Sequence, residues 1–145
     1  MPVPSIRHHP LLLCGPFGRE LPTEQAATAL TRGLPSADVI ALKSTSARGP
    51  DARRLLDDDH FDRRMLASRA LILAFSRLES RHLAGSLLLE AATRARQSGI
   101  PSYAVCADDR LEDFDARLMD IQIILETRRD ASGLARVGRK LASLI

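Results

Sequence analysis

The sequence holds no tryptophan, one tyrosine and four phenylalanines among its 145 residues. Its core must therefore be built from Leu, Ile, Val and Ala. The scarcity of aromatics also argues against a nucleic-acid binder, which gathers basic residues on one face and stacks bases on aromatic rings. Here Arg alternates with Asp and Glu, and the net charge is only +3. That describes a mixed, solvated surface, and no nucleic-acid partner is expected. Lysine is nearly absent, with 2 Lys against 19 Arg, a bias that reflects a GC-rich genome rather than a task for arginine.

Cysteine is equally scarce. Cys14 and Cys106 lie in separate apolar runs without CxxC spacing, so they read as reduced, buried thiols and not as a bridge or a metal site. No apolar run approaches the roughly 18 residues of a membrane span. At the N-terminus Pro2, Pro4, His8, His9 and Pro10 interrupt any signal-peptide core. The expectation is a cytoplasmic protein with no membrane partner and no metal. It should be a single domain over residues 1–145 with a flexible tail over 1–9. No internal repeat or low-complexity linker marks a second domain.

What is present is alternation. Five apolar runs occupy 11–14, 39–42, 71–75, 103–106 and 121–125, continuous but for Gln122; continuous runs of this length suit strands buried on both faces of a parallel sheet. Helical patterns lie between them. In 23–33, Ala26, Ala27 and Leu30 share a face, with Thr23 placed to cap the start and Gly33 the end. In 83–97, Leu83, Leu87, Leu88, Ala91 and Ala95 form one stripe, ended by Gly99 and Pro101. In 130–144, Leu134, Val137, Leu141 and Leu144 recur at helical spacing behind a cap at Asp130 or Ser132. Residues 50–68 form one bent helix or two short ones, with Asp59 able to cap the second. Residues 111–118 read as a short helix turning Leu111, Phe114 and Leu118 inward. The β-α alternation predicts an α/β, doubly wound, five-stranded, mostly parallel sheet in the order 2-1-3-4-5, with helices on both faces. This is a three-layer sandwich of Rossmann-like or flavodoxin-like type.

In such a sheet ligands bind beyond the carboxyl ends of the strands. Four loops reach that edge. "CGPFGREL" is neither GxGxxG nor a P-loop. Gly15 and Gly18 can offer amides to an anion that Arg19 pairs, or the stretch is a plain turn. "KSTSARG" offers Lys43, Arg48 and three hydroxyls to a phosphate, or only to water. "SRLESRH" carries Arg77, Glu79, Arg81 and His82 before a helix start, where an anion is favoured; Glu79 and His82 are spaced to act as an acid–base pair or stand merely solvated. In "ADDR", Asp108 and Asp109 either hold Mg²⁺ or cap the next helix. A phosphorylated receiver domain is excluded, because the ends of strands one, three and five read Cys14-Gly15, Phe75-Ser76 and Glu126-Thr127.

Three stretches carry a family resemblance: "LLLCGPFGRELPTEQAATALTRGL", "SADVIAL" and "ALILAFSRLESRHLAGSLLLEAATRARQSGIPSYAVCA". Together with the closing "DIQIILE" they resemble the bacterial type I glycerate kinases, ATP-dependent phosphotransferases. The first resembles that family's D-S-F-K-G-S-L loop, with Phe17 and Leu21 matching. The third resembles its G-E-G-R-L-D-x-Q-T-x-x-G-K loop, with Arg77, Leu78 and Gly85 matching and Glu79 replacing Asp. Gly15 stands for the family's first-loop Asp and Gly18 for its Lys; Phe75 stands for a Glu and Ser86 for a Lys. The family's A-D-G-G-E-G-T segment has no counterpart, and its inserted second domain is missing across 54–63.

The resemblance therefore implies a shortened relative, catalytically degenerate, that binds a small acidic metabolite or pairs with a copy of itself or a partner subunit that completes the cleft. Its candidate ligand-binding residues are Arg19, Lys43, Arg77, Glu79, Arg81, His82 and Gly85; no catalytic residue is assigned and no cofactor is expected. One alternative is a minimal glycerate kinase using ATP and Mg²⁺, and another is a purely structural subunit. Losing charge in the loops removes what phosphoryl transfer most needs.

Overall fold

The computed structural model describes residues 9–145. The expected tail over 1–9 lies outside the described residues except for His9. The His9 carbonyl accepts the Arg69 N–H at 3.1 Å, so His9 belongs to the fold.

Five strands form one parallel sheet in the order β2-β1-β3-β5-β7. β1 (Leu11–Cys14) and β3 (Leu71–Ala74) lie at its centre and are buried at every position. β2 (Asp38–Ala41) and β7 (Ile121–Glu126) are its edges, with β5 (Ser102–Cys106) inside β7. The topology is the doubly wound one read from the apolar runs, and the sheet is wholly parallel.

Alternate side chains of the central strands feed two cores. Leu12, Cys14, Ile72, Ala74 and Val105 pack under α1 (Thr23–Gly33) and α6 (Ala131–Leu144). Leu11, Leu13, Leu71, Leu73 and Cys106 pack under α2 (Pro50–Asp58), α3 (Phe61–Leu66) and α4 (Leu87–Gln97). The two cysteines thus lie on opposite faces. Both are free, and burial pushes each thiol up to about 12, so neither is a thiolate at neutral pH.

Several local expectations are corrected. Thr23 is the first helical residue and Pro22 takes the cap position without a side-chain bond. Gly33 is not a stop signal. A Cβ there would collide with the Ala135 carbonyl, as one on Gly138 would with that of Leu30; the two glycines let α1 and α6 meet backbone to backbone. Residues 50–68 form two helices, joined through His60 in the left-handed conformation, and Asp59 makes no side-chain cap. α4 begins at Leu87, not Leu83. The Ser86 hydroxyl accepts the Leu89 N–H at 3.1 Å, while Leu83 sits in the preceding turn. Asp130 caps α6 as expected, accepting the Gly133 N–H at 2.7 Å. In α5 (Asp113–Leu118) no residue is buried, and Phe114 and Leu118 point outward at 67% and 51% exposure.

Two ion-pair clusters tie the layers together. Arg64 of α3 binds Asp38 at 2.5 Å and the Val39 carbonyl at 2.9 Å, blunting the β2 edge. The Arg64 hydrogen bond holds the Asp38 carboxyl below its ordinary value. Arg94 of α4 binds Asp57 at 2.7 Å, Glu90 at 2.9 Å and Asp62 at 3.2 Å. Burial disfavours the Arg94 charge, but hydrogen bonds to Glu90 and Asp57 outweigh it, and its pKa is raised. Among the described residues no helix is long and apolar enough to cross a membrane.

Candidate functional site

At the carboxyl edge of the sheet, β1 is followed by Gly15. Its N–H donates to the Ala74 carbonyl at 2.8 Å, so that amide is not offered to a ligand. Its missing side chain matters more. A Cβ at Gly15 would collide with the ring of Phe75 and the methyl of Thr45. The loops that follow β2 and β3 therefore meet over the end of β1. In this topology the ligand crevice opens where the winding reverses, between β1 and β3. Here Phe75, 4% exposed, lies against Gly15 at that end of the sheet.

The open volume lies beside this ring. A cleft of about 520 Å³ is lined by Thr45, Ser46 and Arg48 on one wall. Arg77, Glu79, Arg81, His82 and Ser86 form the other, and Phe75 and Leu88 complete the lining. The two walls are stitched at one end: the Arg48 guanidinium donates to the Ala84 carbonyl, and the Gly49 N–H donates to that of Gly85 at 2.8 Å. Gly49 and Gly85 both have positive φ, at 54° and 76°, which this crossing of backbones uses.

The stretch read as a loop, "SRLE", contains a strand. β4 (Arg77–Glu79) pairs in parallel with β6 (Asp108–Arg110), a small ribbon that prolongs β3 and β5 beyond a bend. Leu78 anchors it, fully buried. The pairing sets Arg77 beside Asp108 at 3.2 Å, while Glu79 also binds Arg77 at 3.2 Å. Asp108 takes Arg110 as well, at 2.9 Å, and Asp109 accepts the Leu111 N–H at 3.0 Å. Both aspartates are thus committed within the protein rather than arranged for Mg²⁺. Glu79 is engaged by Arg77 and not by His82.

Of the seven residues expected to bind a ligand, Arg77, Glu79, Arg81 and His82 come together in the cleft. Arg19, Lys43 and Gly85 do not line it; Gly85 serves the backbone crossing instead. Phe75 and Leu88 were not anticipated, and only the adjacency of β2, β1 and β3 reveals them. Arg48, noted only as a loop cation, is a wall residue.

The lining carries three arginines against one carboxylate. Arg77 is neutralised by Glu79 and Asp108. Arg48 meets an uncharged carbonyl, and Arg81 and His82 have no ion-pair or hydrogen-bond partner among the described residues. The turn Ser80–Leu83, closed by Leu83 N–H to the Ser80 carbonyl at 3.1 Å, presents both. His82 holds φ at 58° there, a conformation that side chains other than Gly rarely adopt.

A second cavity of about 500 Å³ lies at the start of α6, where Arg128 and Arg136 face Glu126 and Asp130. Its formal charges cancel, and the Asp130 carboxylate already fills the helix end. No family model matches the chain, and no curated protein matches it.

Proposed function

We propose that the chain is a single-domain relative of the type I glycerate kinases that no longer transfers phosphate and binds a small anionic metabolite in the cleft between residues 45–48 and 75–88. The excess of arginine over carboxylate in the lining, with Arg81 and His82 unpartnered, carries this proposal. A carboxylate or phosphate arriving there would meet charge that no protein group has cancelled. The volume lies within the roughly 300–1,000 Å³ of small-molecule sites.

Two placements support the loss of catalysis. Phe75 and Ser86 stand where the resembled loop has Glu and Lys, and both serve the fold: Phe75 covers Gly15, and Ser86 caps α4. A cover over the open side of the cleft, supplied by another copy of the chain or by a partner subunit, belongs to the same proposal.

A ligand that binds only the folded state raises stability, by about 2.7 kcal/mol at a hundredfold excess over Kd. Thermal unfolding with inorganic phosphate, sulfate, glycerate, phosphoglycerate and ATP should therefore show stabilisation by at least one acid, reduced in Arg81→Ala. Steady-state ATP turnover with glycerate should stay at background. Turnover that Arg77→Ala abolishes with the fold intact would instead establish the kinase. No stabilisation by any of the acids would leave a structural subunit.

A further inference from the structure

Resting on the anion-binding reading, we infer that the ligand of this cleft is an amphipathic acid: a small carboxylate or phosphate ester whose body is apolar. Size and lining argue for it together. A bare inorganic anion would fill only a small part of about 520 Å³ and leave the rest to water. The lining arginines are Arg48, Arg77 and Arg81, with His82 beside Arg81 on its turn, whereas its two apolar side chains are Phe75 and Leu88. These two belong to the core beneath α4 and reach the cleft with only 4% and 8% of their surface open. They therefore present a firm apolar base rather than mobile side chains.

The lining holds three hydroxyls, of which that of Thr45 alone makes no hydrogen bond among the described residues. Ser44 and Ser46 bond each other at 2.7 Å, and the Ser86 hydroxyl is spent on Leu89. A heavily hydroxylated body would find little to satisfy it against Phe75 and Leu88, and burying unpaired hydroxyls is unfavourable. An apolar body loses water there at no such cost. Ligand sites commonly combine an apolar lining with a few placed polar groups that fix orientation. The expected pose sets the acid group toward Arg48 and Arg81 and the body toward Phe75 and Leu88.

The test compares 3-phenylpropanoate and phenyl phosphate with acetate, inorganic phosphate and benzyl alcohol at matched ionic strength. It uses thermal unfolding and the methyl NMR signal of Leu88, assigned through Leu88→Met. Expected results are binding of the phenyl acids about tenfold tighter than acetate or inorganic phosphate, a shifted Leu88 methyl signal, and weaker binding in Arg81→Ala. Phenyl acids that bind no better than acetate and inorganic phosphate would overturn the inference while leaving an anion site. Benzyl alcohol binding as tightly as the phenyl acids, with no effect of Arg81→Ala, would overturn the anion reading and the inference with it. No response to any of the five compounds would overturn both.

Discussion

Arg94 and Arg81 stand at opposite ends of the segment that leads from the cleft into α4, and their surroundings differ. Arg94 is 14% exposed and meets three carboxylates, from α2, from the start of α3 and from its own helix. Arg81 is exposed on a turn and meets none. The composition treats these arginines alike; their neighbours separate them. Where the charge is matched, the arginine is architecture, and it accounts for Asp57 of the acidic run and for Asp62. Where it is unmatched, beside a cleft, the arginine is free for the anion proposed above. Arg77 lies between these cases, since the β4–β6 ribbon has brought Asp108 to it.

The contrast can be broken most directly by truncation. Arg94→Ala should cost about 2 kcal/mol in urea unfolding, less than a fully buried pair would, because Asp57 and Asp62 are largely exposed. An equal cost at Arg81 would dissolve the distinction. A smaller effect should follow acidification. Asp38 is held below its ordinary 3.8 by Arg64, so its contribution is complete above that value and disappears as pH falls through the lower folded one. Wild type should exceed Asp38→Asn in stability at pH 5, and the gap should narrow as the solution is acidified below the ordinary aspartate value.

The next effect has the opposite sign. His82→Gly should stabilise the fold by about 0.5 kcal/mol, relief of the left-handed backbone being partly offset by the freedom of glycine in the unfolded chain. It should also weaken any acid that binds the cleft, which would mark His82 as kept for recognition at the expense of stability. The smallest effect is expected at Arg81→Ala, within about 0.5 kcal/mol in the absence of ligand.

The layers and strand order were legible because each central strand is a short continuous apolar run and each helix carries an apolar stripe. Those signals are local and repeat down the chain. The cleft was half legible. Arg77, Glu79, Arg81 and His82 share one segment, so finding one finds the others. Thr45 and Phe75 meet because β1 is followed by a residue with no side chain, and Arg48 joins the others through the Ala84 carbonyl, facts about space and not about neighbours in sequence. The β4–β6 ribbon was hidden for a similar reason: three residues with one apolar member show no periodicity, and the partner strand comes much later. At α5 the spacing of Phe114 and Leu118 correctly marks a common face. Spacing cannot say whether that face meets the core, and it does not. Gly33 was read as a stop because glycine commonly ends helices, whereas the contact it serves, with Gly138, comes from the last helix.

The ring of Phe75 has two sides to its duty. Toward the sheet it closes the end of β1; toward solvent it forms part of the cleft. Anything resting on the ring therefore rests over a strand that is buried at every position. Occupancy should be felt not at the rim but as slower amide exchange through β1 and β3, whose opening requires the ring to leave. A binding event at the surface would thus be recorded by amide protons of the core, and their lifetimes would serve as a gauge of the cleft that needs no knowledge of what fills it.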